Sequence, residues 1–192
     1  MRLFSTLLLA IFLTGCGINN IPTYDEQVAS AWSQVENQYQ RRADLIPNLV
    51  ATVKGFAAQE QETLTAVVEA RAKATAVRLD ASMLDDPEAI ARFQEAQSGL
   101  ERALGRLLMV TENYPDLKSN ANFLALQSQL EGTENRISVA RRDFIQAVRQ
   151  YNTEIRTFPG KIWHSLLYSE MTLKENFKAT VENADQAPVV EF

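Results

Sequence analysis

Apolar residues recur every three or four positions along most of the chain. In the first half, Val28, Trp32, Val35, Tyr39, Ile46, Leu49, Val53, Phe56, Leu64 and Val67 fall on one stripe, the signature of one face of a long helix over residues 24–76. Pro47 lies inside that stripe and takes the hydrogen-bond donor away from the carbonyl of Ala43. The stripe keeps its phase across the proline, which favours one kinked helix over a first helix ending at Asp44 and a second beginning at Pro47. Unbroken, residues 24–76 would measure roughly 80 Å at 1.5 Å per residue.

Residues 79–85 carry no period and read as a connector. Asp86-Pro87-Glu88 then starts a helix, with an Asp cap, proline at the first position and an acid in the first turn. Ile90, Phe93, Leu100, Leu104, Leu107 and Leu108 form its apolar face, and it stops near Asn113-Tyr114-Pro115. A third helix is predicted from about Asp116 to Phe158. Leu130, Ile137, Phe144, Tyr151 and Phe158 recur at seven-residue steps with Val148 and Ile155 beside them, the spacing of a left-handed bundle seam. Pro159-Gly160 ends it, residues 161–168 form a short helix, and residues 170–177 are weakly patterned. The fold predicted is all-α: an elongated antiparallel helical bundle of three long helices with a shorter C-terminal helical segment.

The first residues set the compartment. Met1-Arg2 precedes an apolar run over residues 3–13, and Leu13-Thr14-Gly15-Cys16 closes it. That run is about half of the roughly 20 residues a membrane-spanning helix needs. The tetrapeptide resembles the lipobox of bacterial lipoproteins, with Cys16 as the acylated residue. The division expected is a signal peptide over 1–15, a lipidated tether over 16–23, a helical body over 24–178 and an extended tail over 179–192. With two or three acyl chains the anchor is stable. Gly17 in place of an aspartate favours the outer membrane where there is one, with the body facing the periplasm or exterior.

Cys16 is the only cysteine, so its lipidation leaves none for disulfides, thiolate chemistry or zinc. Arg2 is the one charge in residues 1–15, so 19 basic side chains become 18 against 24 acidic ones. An acidic body, with pI near 5.0, argues against nucleic acid, which is bound largely by phosphate neutralisation. A single histidine, His164, excludes a two-histidine metal site and reads as structural or surface. Asp80, Asp85, Asp86 and Glu88 lack the spacing of a calcium loop, and capping already accounts for Asp86. The nucleophile, phosphate-loop and dinucleotide motifs are absent. No cofactor or metal is implied, and the expectation is a protein that is not an enzyme.

Several segments are more particular. Residues 40–50, Gln-Arg-Arg-Ala-Asp-Leu-Ile-Pro-Asn-Leu-Val, run into Thr52-Val53-Lys54-Gly55-Phe56. Thr133-Glu134-Asn135-Arg136-Ile137 leads to Ala140-Arg141-Arg142-Asp143-Phe144 and Tyr151-Asn152. With Tyr114-Pro115-Asp116-Leu117-Lys118-Ser119-Asn120 and the terminal Ala-Pro-x-Val-x-Phe, these resemble the LemA family of bacterial envelope proteins along nearly all of the mature chain. The resemblance implies an antiparallel helical bundle tethered by its N-terminus outside the cytoplasm, and no settled activity. Family members commonly carry a transmembrane helix where this chain has a lipobox, and Asp143-Phe144 stands where the family tends to show an aromatic residue and Asn.

Two groups are candidate functional sites. Glu134 and Arg141 fall on seam positions of the third helix, and Arg42 interrupts the stripe of the first. Buried charge must be paired, so a polar layer is expected in which Glu134 pairs with Arg42 or Arg141, with Asp44 and Asn48 nearby. Such a layer either fixes helix register or frames a groove for a ligand or partner. The C-terminal tail, with Pro188, Val190 and Phe192, suits capture by strand addition with its free carboxylate, or else folds back on the bundle. The functional expectation is a membrane-anchored scaffold or adaptor for other envelope proteins, a PDZ-containing or membrane protease being one candidate partner. The alternative is a ligand-binding or regulatory sensor using the polar layer.

Overall fold

The computed structural model describes residues 17–177 and is all-α. Cys16 and the tail with Pro188, Val190 and Phe192 lie outside the described residues. Six helices follow in order among them: α1 Asn20–Phe56, α2 Gln61–Ala76, α3 Pro87–Thr111, α4 Pro115–Lys118, α5 Ala121–Arg156 and α6 Gly160–Leu167. A 3-10 turn at Ala81–Met83 sits in the connector before α3. The helix begins at Asn20, so residues 20–23, expected in the tether, already belong to the body, and Ile21 is buried.

The chief difference from the predicted elements is in the first stripe. Helix α1 passes through Pro47 without interruption but stops at Phe56, and α2 turns back along it. The apolar period does not reveal this, because Val53, Ala57, Leu64, Val67 and Ala74 stay in phase and are all buried. The cause is tertiary. The first turns of α5 lie beside Asn48 and Thr52 of α1, so a longer α1 would carry Leu64 and Val67 beyond the end of its partner into water. Doubling back buries them against Leu100, Leu104 and Leu107 of α3 instead. The body is therefore an antiparallel bundle of α1, α2, α3 and α5. The third predicted helix likewise divides, at Ser119-Asn120, where Asn120 caps α5 by accepting from the amides of Asn122 and Phe123.

Two apolar cores share the bundle. One gathers Trp32, Val35, Phe93, Ile137, Phe144, Val148 and Tyr151 at the end where α1 begins, and the other gathers Ile46, Leu49, Val53, Leu64, Leu100 and Leu130 at the far end. In the first, the rings of Phe93 and Phe144 meet Trp32 edge-on at 5.2 and 5.4 Å, a preferred aromatic geometry. The Trp32 indole N–H donates to the carbonyl of Leu79 at 2.8 Å and so ties the α2–α3 connector to this core.

Residues 171–177 form an extended strap across the same end. The Tyr151 hydroxyl donates to the carbonyl of Thr172, and Asn152 pairs with both backbone groups of Lys174 at 2.8 and 3.0 Å. The Glu175 amide donates to the carbonyl of Leu84, and Phe177 packs between Trp32, Phe144 and the Arg141 guanidinium. Burial, with the negative charges of Asp25 and Asp85, pushes the Tyr151 hydroxyl up to about 12.

Candidate functional site

The two cores are separated by one polar layer, built from residues that break three apolar stripes at the same height. On α1, Arg42 follows Tyr39 and precedes Ile46; on α3, Gln97 lies between Phe93 and Leu100; on α5, Thr133 and Glu134 lie between Leu130 and Ile137. Arg42 is 1% exposed, which for a guanidinium demands partners. One terminal nitrogen donates to Oε1 of Glu134 at 3.0 Å, and the other donates to Oε1 of Gln97 at 2.7 Å. The Tyr39 ring lies 5.0 Å from the guanidinium carbon, within cation–π range. The Nε of Arg42 is buried without a partner. Gln97 also donates to the carbonyl of Ala74, in the last turn of α2, so the layer joins all four long helices.

Burial pushes the Tyr39 hydroxyl above its usual range, opposed by the positive charges of Arg141 and Arg42. Glu134 is 42% exposed and opens into a small cleft of about 90 Å³ between α3 and α5, which Arg141, Glu101 and Ser138 also line. A larger cleft of about 490 Å³ lies on the other side of Tyr39 and Gln97, between α1 and α2. Arg71, Arg78 and Phe93 are among the residues that line it. Arg71 donates through Nε to the carbonyl of Ala43 at 2.7 Å. That carbonyl is the acceptor orphaned by Pro47, so a side chain from α2 replaces the missing helix bond.

The structure brings Arg42 and Glu134 together and places Arg141 at the edge of the same cleft. Asp44 and Asn48 stay outside the layer. Both are exposed, Asp44 accepting from the Gln40 amide at 2.7 Å and Asn48 lining a shallow groove with Thr52 and Gln129. Two and six residues from Arg42 are about 200° and 240° around a helix of 3.6 residues per turn, so they point away from it. Gln97 and Thr133 are the members not identified from the sequence, and the signal of each is a polar residue between apolar positions of its helix.

The other sequence candidates have structural roles. Asp86 caps α3, Asp80 caps the 3-10 turn, and Asp85 accepts from the Thr172 hydroxyl of the strap. His164 is half-buried with Nε2 2.9 Å from the carbonyl of Met171. Among the described residues no group of histidine, cysteine and acidic side chains is placed to hold a metal ion.

Comparison with known proteins adds three findings. Residues 31–192 match the model of the LemA family. Magnetosome proteins MamQ 1 and MamQ 2 of Paramagnetospirillum magneticum are each 26% identical over 166 residues, 78% of this chain and 60% of theirs. Protein LemA of Metamycoplasma hominis is 25% identical over 140 residues, 73% of this chain and 60% of its own. The chain thus spans about 60% of the length of these relatives.

Proposed function

The chain belongs to the LemA family, and from that membership and the geometry above we propose that it is a membrane-anchored envelope protein, held through Cys16, whose helical body is a scaffold or adaptor rather than an enzyme. The observation that carries this reading is the linkage of all four long helices through the central layer. Both terminal nitrogens of Arg42 are engaged by Glu134 and Gln97, and Gln97 in turn holds α2. Polar groups committed to one another in this way fix which faces of the helices meet. They support a rigid body whose work is done at its surface and ends.

The C-terminal residues are the proposed recognition element. Ala187-Pro188-Val189-Val190-Glu191-Phe192 offers alternate apolar side chains to a strand-accepting groove, such as that of a PDZ module on an envelope protease. In-cell crosslinking with mass spectrometry, on the full chain and on one lacking residues 187–192, tests it. A partner lost with the tail is the expected result; an unchanged set of partners removes the tail as recognition element.

A second reading, a ligand-binding sensor, draws on the 490 Å³ cleft beside the layer, which Arg71, Arg78, Tyr39 and Phe93 line. A small molecule that raises the melting temperature of the wild type and not of Arg78→Met, which removes a charged side chain lining that cleft, would support it over the scaffold.

A further inference from the structure

The exposed large apolar side chains of the body are mostly scattered singly, at Phe56, Val68, Met83, Met109, Leu124, Val139 and Ile145. Scattered exposure of this kind carries no meaning. Four others are collected within ten residues at one end. Phe158 is 79% exposed, Leu166 69%, Leu167 57% and Ile162 46%. Phe158, Ile162 and Leu166 are spaced by four, and Ile162 and Leu166 share one face of α6. The opposite face is the packed one, bearing buried Gly160 and half-buried His164, whose Nε2 lies 2.9 Å from the carbonyl of Met171; Trp163, between the two faces, also packs against the core of Trp32 and Phe144. Phe158 continues the seven-residue repeat of α5 and was expected on its seam, but α5 ends at Arg156 and the next residues turn outward. An apolar residue on the repeat is thus delivered to the surface, beside an apolar helix face that the body leaves uncovered.

The place of this patch matters more than its size. The beginning of α1 lies against it: Gly17 is next to Pro159, and Asn20 donates to Glu154 of the last turn of α5 at 3.1 Å. Residues 3–13 are an uninterrupted hydrophobic run except for Ser5 and Thr6, and only three residues separate them from Gly17. Any bilayer that holds residues 3–13 or an acylated Cys16 is therefore brought to the end of the bundle that carries the patch. The far end, at Phe56, is about 55 Å away along α1. Local charge fits as well. The chain as a whole is acidic, with a net charge of −5, but the exposed charges flanking the patch on α5 and α6 are Arg156 and Lys161. Glu170 is the exposed acid that follows, and Lys174 is neutralised by Asp25 at 3.2 Å. Apolar side chains on one face with cationic side chains beside them is how a short helix lies in a lipid interface.

We infer that α6 and Phe158 form a second membrane contact, an apolar tip that seats in the lipid interface beside the N-terminal anchor and sets the bundle upright on the bilayer. The inference rests on the anchoring proposed above. One anchor alone leaves a body free to tilt; a second contact on the other side of the chain entry fixes its orientation and holds the far end of the bundle away from the surface.

The test uses the full chain, produced in a bacterium that processes lipoproteins and reconstituted into vesicles of phosphatidylethanolamine and phosphatidylglycerol. Leu166→Cys carries an environment-sensitive dye at the tip, and Ser119→Cys carries it at the far end; both positions are exposed. Flotation of the vesicles reports anchoring, and quenching by lipids with brominated acyl chains reports depth. The expected result is that both proteins float, that the dye at 166 shifts to the blue and loses most of its emission to the quencher, and that the dye at 119 does neither. Flotation without quenching at 166 overturns the tip and leaves the anchor standing. Failure to float overturns both. A dye at 166 already shifted before vesicles are added, by a second copy or by the ends of the same chain, assigns the patch to that occupant and overturns the lipid contact.

Discussion

Glu134 is the wet member of the central ion pair and Arg42 the dry one, so the two are not equivalent. Removing Arg42 frees Glu134 to turn into the cleft it already faces, and Gln97 keeps its bond to Ala74. Arg42→Met is expected to cost about 1–2 kcal/mol, because the buried Oε1 of Gln97 loses its donor. Removing Glu134 takes the counter-charge and one hydrogen-bond acceptor from a buried guanidinium that keeps only Gln97. Glu134→Leu is expected to cost about 2–3 kcal/mol, below the full cost of stranding a buried charge because the adjoining cleft admits water. The double variant, with an apolar layer, is expected to lie closer to the wild type than Glu134→Leu alone. Urea unfolding at unchanged slope measures all three; equal costs for the two single variants would mean that the layer is not polarised in this way. The pairing of Arg42 with Glu134 was legible because both stand on apolar stripes, where charge needs a partner. Asp44 and Asn48 were placed beside them by nearness in sequence, which a helix does not respect.

At the scale of elements, Pro47 shows how a helix-breaking residue is carried within a helix. Its ring removes the donor to Ala43, and Arg71 supplies another from α2. The proline and the arginine are therefore coupled although they stand on different helices. Arg71→Met is expected to destabilise the wild type by about 1–2 kcal/mol, because it leaves a buried carbonyl unsatisfied. In a Pro47→Ala background the backbone N–H of residue 47 serves Ala43, and the same substitution is expected to cost only a fraction of that. A double-mutant cycle by thermal or urea unfolding reads the coupling directly, and strictly additive effects would sever the proline from the arginine. The loss of a partner by Ala43 was legible from the sequence; the identity of its replacement was not, because it depends on α2 folding back. That reversal leaves no mark in the apolar period. It is decided by where α5 begins, at Ala121, a fact about the partner and not about the helix that ends.

The whole molecule is asymmetric from end to end. Where α1 begins, the bundle is closed by the strap and α6, so that the core around Trp32 is completed by chain from the C-terminal side; at the other end, Tyr114 is held by Glu60 and Gln59 across the α1–α2 turn. The strap was unreadable as a pattern because its order comes from backbone bonds to Tyr151, Asn152 and Leu84 and from one aromatic ring, none of which has a period. The strap belongs to the fold, and residues 187–192 are the ones proposed to serve recognition. Ending the protein at Leu167 removes Thr172, Lys174 and Phe177 together, uncovers Trp32 and Phe144, and leaves Asn152 without its two backbone partners. A loss of at least about 3 kcal/mol is expected, the scale of deleting one buried aromatic side chain, with a correspondingly lower melting temperature. Ending it at Phe177 keeps every one of those contacts, so the melting temperature is expected to stay at the wild-type value while the partner captured through residues 187–192 is lost. If the chain ended at Phe177 melts as low as the one ended at Leu167, residues 178–192 contribute to the fold, and the tail loses its claim to be a recognition element.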